Sequence, residues 1–81
     1  MAYYIYINLM VTNIYEKLGK NIKKYRKEKK YTQQKLAEKT GIGLNFLGKI
    51  EVAYAKPSFE TIIKLSQALE ISLKELFDFK E

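Results

Sequence analysis

Thr32-Gln33-Gln34-Lys35-Leu36-Ala37-Glu38-Lys39-Thr40-Gly41-Ile42-Gly43-Leu44-Asn45-Phe46-Leu47-Gly48-Lys49-Ile50-Glu51 is the stretch on which the fold turns. Thr32 is a good cap for a short helix over Gln33 to Lys39, whose apolar face is Leu36 and Ala37. Gly41 stands where such a helix ends in the left-handed backbone region. Only a few residues later, Gly43 to Val52 places Leu47 and Ile50 three apart, the spacing of one helical face. The stretch predicts two helices joined by a tight turn.

Upstream of this stretch, Asn13 followed by Glu16 reads as a capping box. It opens a first helix over about 13–29, in which Ile14, Leu18, Ile22 and Tyr25 recur at helical spacing. Downstream, Pro57 and Ser58 mark a new start, and Ile62, Leu65, Ala68 and Leu69 repeat on one face. Ser72 and Glu75 form a full capping box for a last short helix bearing Leu73, Leu76 and Phe77. One Pro and four Gly in 81 residues are too few for a loop-rich all-β chain. The expectation is an all-α domain of five helices over 13–81, preceded by an extension over 1–12.

Composition narrows the function. With no Cys and no His, a thiol nucleophile, a disulfide framework, a zinc finger and an imidazole base are excluded, and no cofactor or metal site is expected. No nucleophile with its base and no phosphate loop can be assembled, so the chain does not read as an enzyme. The net charge of +6 is concentrated: Lys17, Lys20, Lys23, Lys24, Arg26, Lys27, Lys29 and Lys30 face only Glu16 and Glu28. Residues 31–81 cancel, with seven Lys against seven acids. A lysine run of this kind is either the solvated face of a helix or a footprint for phosphate.

Together, Arg26, Thr32-Gln33, Leu36-Ala37, Gly41-Ile42, Leu47, Ile50-Glu51, Pro57-Ser58, Leu65, Ala68-Leu69 and Leu73 to Phe77 resemble the helix-turn-helix of lambda-repressor and Cro-type regulators, the XRE family. The resemblance covers about residues 14–78. It implies a five-helix lambda-repressor-like domain with its helix-turn-helix at helices 2 and 3. It also implies sequence-specific binding of double-stranded DNA, usually as a homodimer, with transcriptional control, commonly repression, as the output. The expected setting is cytoplasmic, at the nucleoid.

In such a motif the second helix enters the major groove and the first crosses the backbone. If Leu47 and Ile50 face the core, Leu44, Asn45, Gly48 and Lys49 lie on the outer, base-reading side. Asn45 can pair with adenine, Lys49 can donate to guanine or phosphate, and Leu44 can lie against a thymine methyl. Phe46 is expected to be partly buried. Gln33 matches the family's phosphate-anchoring glutamine, and Tyr54 and Lys56 match positions that grip neighbouring phosphates. Arg26 and Glu51 resemble the family's structural ion pair.

Three departures stand out. Gly43 replaces the usual Ser or Thr cap, Gly48 adds a helix-interior glycine at a reading position, and Ala53 stands where Gly or Asn commonly ends the reading helix. A reading surface this short of hydrogen-bonding side chains leaves room for selectivity through DNA shape. It also keeps open a second function class, a protein-interaction module or the antitoxin of a toxin pair on the same fold.

The extension over 1–12 falls outside the resemblance. It is too short to span a membrane and lacks the leading charge of a signal peptide, so no membrane partner is expected. Tyr3-Tyr4-Ile5-Tyr6-Ile7 has strong β character, which suggests a strand pairing with its symmetry mate as a dimer arm, or else a disordered extra ahead of Met10.

Overall fold

The computed structural model of the protein describes residues 2–79. Five helices follow in order: α1 (Ala2–Glu28), α2 (Gln33–Thr40), α3 (Leu44–Glu51), α4 (Phe59–Leu69) and α5 (Leu73–Leu76), with no strand among the described residues. Local chemistry sets most of the boundaries. Thr32, Ser58 and Ser72 sit extended at the N-caps of α2, α4 and α5, and their hydroxyls accept from the N–H groups of Lys35, Thr61 and Glu75. At α5 the Glu75 carboxylate returns the bond to the Ser72 N–H, completing the capping box. Gly41 ends α2 at φ 76°. Gly43 begins α3 with no side-chain cap.

The N-terminal reading is corrected. Residues 2–12 are neither a strand nor an irregular extra; they are the first turns of α1, which runs without a break through Asn13. Neither Pro nor Gly interrupts the chain before Gly19, and β-branched and aromatic residues cost a helix only tenths of a kcal/mol, roughly up to 0.7, so nothing forces a stop at the Asn13 capping signal. At 27 residues α1 is about 40 Å long and sets the 42 Å long dimension of the molecule. Met1, Lys80 and Glu81 lie outside the described residues.

The core is built where the four shorter helices close around the second half of α1. Leu18 and Ile22 of α1, Leu36 of α2, Leu47 and Ile50 of α3, Leu65 and Leu69 of α4 and Leu76 of α5 are all fully enclosed. Ile14, which the periodicity places on the same face, keeps 44% of its surface exposed at the rim of the bundle, beside Pro57, Phe59 and Phe77. Asn21 donates its amide to the Leu76 and Asp78 carbonyls, at 2.9 and 3.2 Å, and so satisfies the free end of α5 from α1. On the surface, Lys29 Nζ lies 2.6 Å from Glu70 Oε1. That hydrogen bond holds the Glu70 carboxyl below and the Lys29 ammonium above their ordinary values, and solvent screening leaves the pair little weight in stability.

Gly19 fixes how closely α1 approaches α3. A Cβ at this position would stand 2.5 Å from the Ile50 carbonyl oxygen and 2.7 Å from that of Glu51, both backbone atoms. Three helix ends, by contrast, turn through the left-handed region without glycine, at Lys30, Ala53 and Glu70. Ala53, at φ 63°, takes the left-handed conformation that Gly or Asn commonly supplies at this helix end. The Tyr54 N–H reaches back to the Lys49 carbonyl at 2.8 Å, and the turn closes as it would on glycine.

Gly19→Ala is expected to lower the melting temperature by several degrees, since overpacking costs about 1–3 kcal/mol against about 1 kcal/mol of helix propensity gained. Ala53→Gly is expected to raise it, removing up to about 1–2 kcal/mol of left-handed strain. Thermal denaturation followed by circular dichroism checks both, and a Gly19→Ala protein as stable as the parent contradicts the close approach.

Candidate nucleic-acid interface

The base of the site is a buried ion pair. Arg26 and Glu51, 8% and 5% exposed, meet through two parallel bonds, Nε to Oε2 at 2.7 Å and Nη2 to Oε1 at 3.1 Å. The remaining Arg26 nitrogen, Nη1, donates to the Tyr31 carbonyl at 2.9 Å. Gln33 completes the cluster, its Nε2 donating to Glu51 Oε1 at 3.1 Å. A guanidinium suits this position because its planar fork can bond a carboxylate and a carbonyl at once, which an ammonium cannot match. The result ties the last residue of α3 to α1 and to the first turn of α2.

On this base the outer face of α3 is presented to solvent. Leu47 and Ile50 point inward and are fully buried, while Leu44, Asn45 and Lys49 are exposed and Gly48 is half-covered. These four line an open groove of about 440 Å³ with Gln33 and Val52. Five of the residues singled out from sequence for contact are thus brought together on one surface. Phe46, expected to be partly buried, keeps 36% of its surface exposed and is not among the side chains packed on the core.

Gln33 does not extend outward. Its amide lies over α3, where a Cβ on Gly48 would be 3.9 Å from both of its terminal atoms. The missing side chain at position 48 therefore leaves a shallow bay roofed by a glutamine. The first N–H groups of α2 have no intrahelical partner by geometry and carry the positive end of the helix dipole.

Tyr54 stands apart at 86% exposure in the loop after α3. Lys56, also exposed, places its ammonium 5.5 Å from the centre of the Tyr15 ring, which holds that lysine against α1. Along α1, Lys20, Lys23 and Lys27 are exposed and form the row next to the Gly19–Arg26 stripe that meets α3. Among the basic residues in 16–30, Arg26 is buried against Glu51, Lys29 is paired with Glu70, and Lys24 places its ammonium 5.2 Å from the centre of the Tyr25 ring. Sequence reasoning missed Gly19 and the inward turn of Gln33. A mid-helix glycine in a chain with only four was the available signal for the first.

Breaking the pair should be costly. Arg26→Ala leaves a carboxylate buried without its partner and is expected to destabilise the fold by about 3–5 kcal/mol, read as a large drop in melting temperature. An unchanged melting curve contradicts the structural role.

Comparison with known proteins fits this geometry. A helix-turn-helix family model matches residues 22–76. The HTH-type transcriptional regulator SinR of Bacillus subtilis (strain 168) is 41% identical over 64 residues, covering 78% of this chain and 58% of SinR. YazB of the same organism, an uncharacterised HTH-type transcriptional regulator, is 40% identical over 58 residues, covering 72% of this chain and 84% of YazB. In three dimensions the chain is similar to the restriction-modification controller protein C.AhdI from Aeromonas hydrophila, with a TM-score of 0.74 at 31% identity, over 76% of this chain and 94% of that one. The chain spans little more than half the length of SinR. The protein belongs to the XRE-type helix-turn-helix family, on the lambda-repressor-like fold.

Proposed function

We propose that the protein is a sequence-specific double-stranded DNA-binding regulator of transcription that acts as a homodimer at the nucleoid, with repression as its output, and is not an enzyme. The observation that carries this is the outward face of α3: Leu44, Asn45 and Lys49 exposed beside a glycine, on a helix whose inner face is locked into the core. A helix needs such a free rim to enter a major groove. The regulators to which the chain is similar support the same reading.

Each side chain then has a role. The Asn45 amide pairs with adenine N6 and N7, Lys49 donates to guanine or to a phosphate, and Leu44 packs against a thymine methyl. Gly48 lets the groove floor come close. The first N–H groups of α2, beginning at Gln33, receive a phosphate, while the Gln33 side chain holds Glu51. Tyr54 and Lys56 take phosphates on the flank, and the Lys20, Lys23 and Lys27 row adds longer-range attraction. In a dimer the half-sites lie about 34 Å apart, one turn of B-DNA.

A second reading has its own support: Leu44, Val52 and Tyr54 make part of this rim apolar, as a protein-interaction module or a toxin-binding antitoxin would have it. Selection of bound fragments from a random duplex library, followed by titration of the selected and scrambled duplexes at several salt concentrations, separates the two. Asn45→Ala is expected to cost about 1–3 kcal/mol and to relax preference at one base pair, while Lys49→Ala weakens all duplexes more evenly. Equal affinity for selected and scrambled duplexes at every salt concentration refutes sequence-specific binding.

A further inference from the structure

The turns of α1 ahead of Ile14 extend beyond the bundle, and residues 1–15 carry no charged side chain. Three large apolar side chains there are open to solvent, Tyr3 at 76% and Tyr6 at 61% exposure, with Ile5 also exposed. Where this arm joins the bundle there is an apolar groove of about 390 Å³, lined by Ile14, Tyr15, Pro57, Phe59, Ile62 and Phe77 among others, with no charged residue in its wall. Phe59 is 65% exposed and Phe77 37%. Apolar surface of this extent on both elements calls for cover.

We propose that each groove is filled by the α1 arm of a second copy of the chain, in a reciprocal two-fold dimer. The inference rests on the dimeric regulator proposed above and names its interface. The arm cannot serve its own groove: α1 is one continuous helix, and Ile14 and Tyr15 of that same helix form part of the groove wall. An α1 arm that fills the groove therefore belongs to another copy. The uncharged arm and the uncharged wall match each other and lack the charge that would draw a nucleic acid or an acidic or basic partner.

The geometry closes on itself. Tyr3 and Ile14 are eleven residues apart, three helical turns, and so share one face that runs from the arm into the groove. Two α1 helices crossed antiparallel about an axis between Tyr6 and Ile14 lay each Tyr6 beside the other chain's Ile14 and Tyr15. Both contacts form at once, as a two-fold interface requires. Tyr3, Tyr6, Phe59 and Phe77, at about 150–250 Å² per aromatic, bring on the order of 500 Å² at their present exposures, and Ile14 adds to that sum, against the about 800 Å² per partner of a standard interface.

The sequence contains no cysteine, so engineered ones report cleanly. One full-length chain carrying Tyr6→Cys is mixed with another, differing in mass by a tag, that carries Phe59→Cys, and the pair is treated with a short bis-maleimide. The mixed cross-linked species is expected in high yield. In sedimentation equilibrium, Tyr6→Glu is expected to weaken dimerisation at least tenfold while its melting curve still shows a folded chain, since Tyr6 touches no core. A dimer that gives no 6–59 cross-link, or that tolerates Tyr6→Glu, overturns the arm-in-groove interface and leaves a dimer through another face. A parent protein that stays monomeric at every concentration overturns both the interface and the dimer.

Discussion

The buried pair of Arg26 and Glu51 is the constraint from which the arrangement of the first three helices follows. Two opposite charges withdrawn from water cost several kcal/mol each unless their hydrogen bonds are replaced in good geometry. Here Nε, Nη1 and Nη2 of Arg26 and both Glu51 oxygens are engaged, with Gln33 as a third party. No buried side-chain nitrogen or oxygen lacks a partner among the described residues. Seven residues earlier on the same face of α1, Gly19 lets the α3 backbone come into contact. The end of the reading helix is therefore held twice by α1, once by charge and once by the absence of a side chain, and a third time by α2. Its outer rim is left with no structural duty.

The loops trade some stability for this placement. Lys30, Ala53 and Glu70 all turn left-handed at a helix end, where glycine would cost nothing sterically. At each the chain recovers part of the cost through a bond that spans the turn: Tyr31 N–H to Arg26, Tyr54 N–H to Lys49 and Ile71 N–H to Ser66. The turn at Ala53 also sets where Tyr54 and Lys56 emerge, so the backbone strain and the flanking contacts proposed for these two residues share one segment.

What was legible in the sequence was local. Thr32, Ser58, Ser72 with Glu75, and Gly41 act on backbone groups within a few residues, and their chemistry can be read without a fold. The spacing of Leu47 and Ile50 likewise sorts α3 into inner and outer faces. The start of α1 was not legible, because a short run of tyrosines and isoleucines serves a strand or a helix equally well and the decision came from continuity with the helix behind it. The left-handed Ala53 could not be read, since the bonds that hold it come from the turn as a whole. Gly19 answers to carbonyls more than thirty residues away, and the inward turn of Gln33 depends on a carboxylate placed by another helix.

Position thus governs the proposed chemistry: a helix anchored at its far end and bare along its rim, with phosphate-seeking groups on either side. Backbone amide shifts of the isotope-labelled protein, followed while a duplex chosen by random selection is added, test this most directly. The largest changes are expected on Gln33, Leu44, Asn45, Gly48, Lys49, Tyr54 and Lys56. Changes confined to the lysines of α1 or to α4 and α5, with α3 unmoved, would contradict it.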